Sequence, residues 1–161
     1  MRHLEHILLT VLLTWSSLTT ALDSDRHQPV GLSADSVDLD EDRNISIYKG
    51  NVELRQGSMH LRANRVTIHH RQRKPDRIVA EGRPVRFEQD TGHGRIKARA
   101  RKTEYVVNSE ILHLIGNAVL VQNGNTMKSD RIVYDRVKHK VRAGAAAKGK
   151  QRVRITIQSG Q

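Results

Sequence analysis

The sequence predicts an all-β protein: an elongated, open-ended twisted roll of about fourteen to sixteen short antiparallel strands built from stacked repeats. Three observations predict it. Aromatic residues make up only 3% of the 161-residue chain, so a core must be built from Val, Ile and Leu, which fit a pleated surface well. Apolar and polar residues alternate with period two in Val66-Thr67-Ile68, Val85-Arg86-Phe87, Leu112-His113-Leu114 and Val153-Arg154-Ile155-Thr156-Ile157, and no segment shows sustained helical spacing. Finally, "YKGNVELRQGSMHLRANRVTI" (Tyr48 to Ile68) returns in outline as "LIGNAVLVQNGNTMKSDRIVY" (Leu114 to Tyr134).

In chain order, the first segment stands apart. Arg2 supplies a positive start, Ile7 to Trp15 an apolar stretch, and Ser16 to Ala21 a run of small residues followed at once by polar Asp23-Ser24-Asp25. That is the layout of a secretory signal, too short to span a bilayer stably. It predicts residues 1–21 as a signal peptide cleaved near Ala21 and residues 22–161 as a single domain, with an uncleaved membrane anchor as the alternative. Cleavage removes Arg2 and Glu5 and so leaves the net charge at the whole-chain value of +11. A charge of this sign and size implies an anionic partner, which outside the cytoplasm is better matched by a phosphorylated lipid or glycan than by nucleic acid. A generally solubilising surface is the competing reading. The chain has no cysteine, and an exported domain with an adequate core needs no disulfide.

The remainder is punctuated by turn signals: Asp42-Arg43-Asn44, Gln56-Gly57, Lys74-Pro75-Asp76, Gly82-Arg83-Pro84, Thr91-Gly92-His93-Gly94, Asn108-Ser109 and Asn123-Gly124-Asn125. These residues close tight turns at low cost and predict a succession of hairpins. Ala34, Ala63, Ala100 and Ser129 each stand a few positions before an apolar strand residue, and Gly50, Gly82 and Gly116 each lead into a strand. One supersecondary unit is therefore stacked about four times, because a unit of this size cannot bury an apolar face alone. A closed barrel or a sandwich of two sheets would satisfy it, and the strand number favours a sandwich with two free ends.

The ordered set Gln28-Pro29-Val30-Gly31-Leu32-Ser33-Ala34-Asp35, Tyr48-Lys49-Gly50-Asn51-Val52, Arg62-Ala63-Asn64-Arg65-Val66, Gly82-Arg83-Pro84-Val85-Arg86-Phe87, Leu114-Ile115-Gly116-Asn117-Ala118 and Ser129-Asp130-Arg131-Ile132 resembles the OstA-like (LptA) family of periplasmic lipopolysaccharide-transport proteins. The likeness runs from about Gln28 to Ile157. It implies a β-jellyroll in the periplasm whose interior carries the acyl chains of lipopolysaccharide (lipid A). It also implies chains joined to themselves head to tail, between an inner-membrane lipopolysaccharide export complex and an outer-membrane insertion barrel. The sequence departs from the family pattern in the basic run "HHRQRKPDR" (His69 to Arg77) and in a Gly/Ala/Lys stretch from Ala143 to Lys150.

Such a carrier needs a continuous apolar lining, since each methylene left in water costs about 0.8 kcal/mol and a chain of a dozen carbons about 10 kcal/mol. One strand parity supplies it: Tyr48, Val52 and Leu54 in the first copy, and Leu112, Leu114, Ala118 and Leu120 in the second. Val66, Ile68, Val85, Phe87, Ile132 and Tyr134 join them, with Val30 and Leu32 at the opening edge. A dry core explains the same residues equally well. Ile45 and Ile47 lie on the parity opposite to Tyr48. Basic residues at the rims, such as Arg62, Arg65, Arg83, Arg86 and Lys128, suit lipid phosphates or a plain solvated surface. The first strand (Val30 to Ala34, with Leu32) and the last (Val153 to Ile157, with Ile155) leave unpaired backbone groups that a second copy can extend.

Enzymatic signatures are missing from the sequence. There is no G-x-x-x-x-G-K-[ST] phosphate loop, no cysteine nucleophile and no G-x-S-x-G elbow, so no cofactor is expected and directed transport must take its energy from another protein. His69 and His70 are adjacent, point to opposite faces of a strand and are not expected to hold a metal. The run His69 to Arg77 lacks interleaved aromatics and reads as a loop between strands, not a nucleic-acid patch. Three functions follow: a non-enzymatic lipopolysaccharide carrier, a membrane-anchored docking partner of the same fold, and a basic module that binds polyanions outside a dry core.

Overall fold

The computed structural model describes residue 25 and residues 28–158; the expected signal segment and its cleavage site near Ala21 lie outside the described residues. One ten-stranded antiparallel sheet makes up the fold. Its strands are β1 (Gly31–Ser33), β2 (Ser36–Asp40), β3 (Ile45–Gln56), β4 (Met59–Arg71), β5 (Lys74–Thr91), β6 (Gly94–Val106), β7 (Ile111–Gln122), β8 (Asn125–Asp135), β9 (Lys140–Ala143) and β10 (Arg154–Thr156), with a 3₁₀ turn, Gly144–Ala147, after β9. Strands β3 to β8 follow one another as hairpins. β1 and β2 share the free edge of β3, and β9 and β10 share the free edge of β8.

The six long strands all break register at one level, between Lys49 and Val52, Arg62 and Arg65, Glu81 and Val85, Arg99 and Lys102, and Ile115 and Ala118. Each break faces the next across the ladder, so the irregularities form one line across the sheet. A bulge bends its strand and sharpens the local twist. A line of them folds the sheet along a crease into two facing layers. The repeat copies β3 and β7 bend through the same pair, Gly50-Asn51 and Gly116-Asn117, with left-handed φ of 76° and 44°, and of 79° and 50°. In β4, β5, β6 and β8 the buried parity slips by one residue at the crease instead, as between Leu61 and Val66 or between Ala80 and Val85.

This corrects the expected count. The strands are fewer and longer than fourteen to sixteen short ones: β3 to β8 run from 11 to 18 residues because the chain passes straight through the crease. The two layers are halves of one folded sheet, not two separate sheets. Gly82-Arg83-Pro84, expected as a turn, is the crease of β5. The basic run His69 to Arg77 is likewise not a loop. It is the end of β4, a two-residue turn at Gln72-Arg73 with φ of 51° and 63°, and the start of β5, with Lys74-Pro75 paired to Arg71 and His70. Positive φ at both central residues matches the twist of a hairpin, which fixes the turn earlier than Lys74-Pro75-Asp76 suggested.

The core lies between the layers. One cluster comprises Val52, Leu54, Leu61, Val66, Ile68, Ala80 and Val85. The other comprises Phe87, Ile96, Ala98, Ala100, Leu112, Leu114, Ala118, Leu120, Ile132 and Tyr134. Both draw on residues from either side of the crease, which is the direct sign that the halves face each other. Burying each large aliphatic side chain stabilises the fold by about 1.5–3 kcal/mol.

Candidate functional site

The space between the layers is the candidate site. Val52, Leu54, Val66, Ile68, Val85, Phe87, Leu112, Leu114, Ala118, Leu120, Ile132 and Tyr134 are all buried there. Tyr48 and Leu32 are half-buried against the first cluster. Val30 is not: it precedes β1 and is 57% exposed, because among the described residues no strand lies beyond β1 to cover it. Ile45 and Ile47 stay half-buried, flanking the inward Ser46.

Several lining residues were not anticipated. Leu61, Ala80, Ile96, Ala98 and Ala100 complete the interior, and Thr103 and Gln89 add buried polar groups to it. Ile96-Lys97-Ala98-Arg99-Ala100 does alternate with period two, so its signal was present. The small size of its alanines hid it.

Both ends of the folded sheet expose apolar side chains. Val37 and Leu39 of β2 are 55% and 64% exposed at one end, and Ile155 and Ile157 are 56% and 74% exposed at the other. Val153 is half-buried and lies just outside β10. Beside β2, Leu39, Ile45, Ser46 and His70 line a cavity of about 670 Å³. His70 Nε2 lies 2.9 Å from the Ser46 hydroxyl, whereas His69 pairs across to Arg77 on the other face of β4. Burial and the nearby Arg77 charge hold His69 below the usual imidazole range.

Opposite the crease is a mouth rimmed by two rows of turns. The turns at 57–58, 92–93 and 123–124 border one layer, and those at 41–44, 72–73, 107–110 and 136–139 border the other. The rows touch where His93 and His139 meet edge to face, with ring centroids 5.1 Å apart. Asp25 sits on one rim, against the turn at 57–58. Its carboxylate accepts the Ser58 amide at 3.0 Å and the Ser58 hydroxyl at 2.5 Å. Burial works to raise its pKa, but these bonds, together with Gln89 and the charge of Arg136 from the opposite row, hold it below its ordinary value of 3.8. Arg136 donates to the Tyr105 hydroxyl at 2.8 Å and lies over the Tyr105 ring. Deeper in, burial pushes the Tyr134 phenol above its usual range.

The Gly/Ala/Lys stretch docks on β8. Gly144 N–H donates to the Ser129 hydroxyl at 3.2 Å and Lys150 N–H to the Asp130 carboxylate at 2.7 Å, the latter bond being the main cause of a lowered Asp130 pKa. Among the described residues, no group of three or more His, Cys, Asp or Glu side chains is placed to hold a metal ion.

This arrangement can sequester an elongated apolar guest. Residues 32–140 match the family model described as LptA/(LptD N-terminal domain) LPS transport protein. The chain is 36% identical over 134 residues to the lipopolysaccharide export system protein LptH of Pseudomonas aeruginosa, covering 81% of this chain and 77% of that one. It is 30% identical over 155 residues to the lipopolysaccharide export system protein LptA of Haemophilus influenzae, covering 94% and 89%. The crystal structure of P. aeruginosa LptH, titled the LptA-homologous periplasmic component of the lipopolysaccharide transport device, superposes with a TM-score of 0.76 at 31% identity. That alignment covers 84% of this chain and 99% of LptH.

Proposed function

The chain belongs to the LptA/LptD N-terminal-domain family of lipopolysaccharide transport proteins, and from that membership we propose that it is a bridge subunit whose folded sheet shields the acyl chains of lipid A. Its role is in lipopolysaccharide transport, its place is the periplasm, and it is a transport component, not an enzyme. The observation that supports shielding is the apolar surface on both facing layers, continued by exposed apolar residues at both ends. Unshielded, one acyl chain of a dozen carbons costs about 10 kcal/mol in water.

Val66, Ala80, Val85, Leu114 and Ile132 have no exposed surface, so a guest must part the layers. The mouth is where they are joined by the fewest covalent constraints, since the crease is continuous chain. Among the described residues β1–β2 and β9–β10 are the outer strands of the sheet, where backbone groups are open to a further strand, and Val30, Leu32, Val153, Ile155 and Ile157 lie in or beside them. Pairing of one edge with the other does not close and gives a head-to-tail filament. Its termini would meet the inner-membrane export complex and the outer-membrane barrel.

The test is photo-crosslinking to labelled lipopolysaccharide from Phe87 and Leu114, with outward-facing Thr67 and His113 as controls. Adducts should form from the first pair and not the second. Adducts from the outward pair alone would refute acyl shielding in favour of binding to the exterior.

A further inference from the structure

The outer face of the layer that carries Phe87 and Ala98 bears a row of cations set by strand register. Arg62 of β4 faces Arg86 of β5, and Arg86 faces Arg99 of β6. Arg99 faces Val119 of β7, Val119 faces Lys128 of β8, and Lys128 faces Arg154 of β10. At about 4.8 Å per strand the row is about 24 Å long.

Like charges directly opposite each other on a sheet destabilise it, and nothing in the described chain neutralises most of this row. Glu53 reaches Arg62 at 3.2 Å, but among the described residues no carboxylate forms an ion pair with Arg86, Arg99, Lys128 or Arg154. All five cations are exposed, and Arg86, Arg99 and Lys128 border one groove of about 390 Å³. Glu88 lines the same groove beside Lys97, so cations outnumber carboxylates along it, on the face turned away from the apolar interior.

We propose that this row is a docking surface for the anionic leaflet of a phospholipid bilayer. A guest whose tails lie between the layers presents its own phosphates at the mouth or the ends, on the wrong side of the sheet to reach the row. A row of long cations, four of the five without an ion pair among the described residues, fits repeated negative charges of no fixed geometry, which a leaflet supplies. Each cation near such a surface contributes roughly a fivefold gain in partition.

The experiment is co-sedimentation of the protein with vesicles of phosphatidylcholine, with and without phosphatidylglycerol. Wild type should bind only the anionic vesicles, and less as salt rises. Arg86→Gln, Arg99→Gln and Lys128→Gln together should lower partition roughly a hundredfold. A control of equal charge loss on exposed residues off the row, Lys138→Gln, Lys140→Gln and Lys148→Gln, should lower it less than tenfold. The row variant should also melt no lower than wild type, since repulsion has been removed. Equal losses in the two triple variants, absence of binding to anionic vesicles, or full competition by glycerol phosphate at matched phosphate concentration would each overturn the proposal. The last would mark a site for single phosphates instead.

Discussion

Replacing Gly116 by Ala tests the claim that the crease creates the two-layered core. Gly116 has φ of +79°, and a Cβ there would lie 2.6 Å from Arg101 Nε. Holding a non-glycine residue in the left-handed region costs about 1–2 kcal/mol, and displacing the Arg101 side chain adds to that. Gly31 is the internal control: a Cβ there meets nothing within 4 Å, so Gly31→Ala should be neutral or stabilise by up to about 1 kcal/mol through the unfolded chain. The difference between the variants should therefore be about 2 kcal/mol. Read by far-ultraviolet circular dichroism, it should lower the melting temperature of Gly116→Ala by about 4–8 °C relative to Gly31→Ala. Gly50→Ala, with φ of +76° and the Asp35 carboxylate in the way of its Cβ, should behave like Gly116→Ala. If both crease variants melted within a degree or so of Gly31→Ala, the left-handed bend would not be what shapes the sheet.

Two further outcomes follow from the mouth and from a half-buried imidazole. The chain has no cysteine, so His93→Cys with His139→Cys gives a unique pair across the mouth for a short bismaleimide; the linked protein should take up lipopolysaccharide at least tenfold more slowly than the unlinked one, and equal rates would show that the guest enters elsewhere. Burial, then the charge of Arg131, lowers the pKa of His113 despite Glu104, so below the ordinary value of 6.5 the unfolded chain binds a proton that the folded chain resists. Stability should fall as pH drops below 6.5, and urea midpoints measured above and below that value should differ less in His113→Gln than in wild type.

What the sequence disclosed and what it concealed divide along physical lines. Local alternation identified the inward residues of each strand segment, because burial of one face requires period two whatever lies across the ladder. It could not distinguish a turn from a crease. Gly50-Asn51, Gly116-Asn117 and Gly82-Arg83-Pro84 carry the same left-handed or breaking signals that end strands, and only the pairing of residues on both sides shows that the ladder continues. Counting each long strand as the two segments flanking its bend restores the expected number, so the error was in joining segments, not in finding them. Alternation alone also misleads where parity slips by one residue: carried backward through β4 from Val66 and Ile68 it lands on Asn64 and Arg62, not on the buried Leu61. Contacts such as His93 with His139, and the row from Arg62 to Arg154, depend on register accumulated over several hairpins. A shift of one residue in any hairpin would turn Arg86 or Arg99 inward and move its apolar neighbours into water. The same buried alternation that fixes the core therefore fixes the cation row, and a repulsive line on the surface persists because undoing it by a slip would cost the interior far more than the repulsion does.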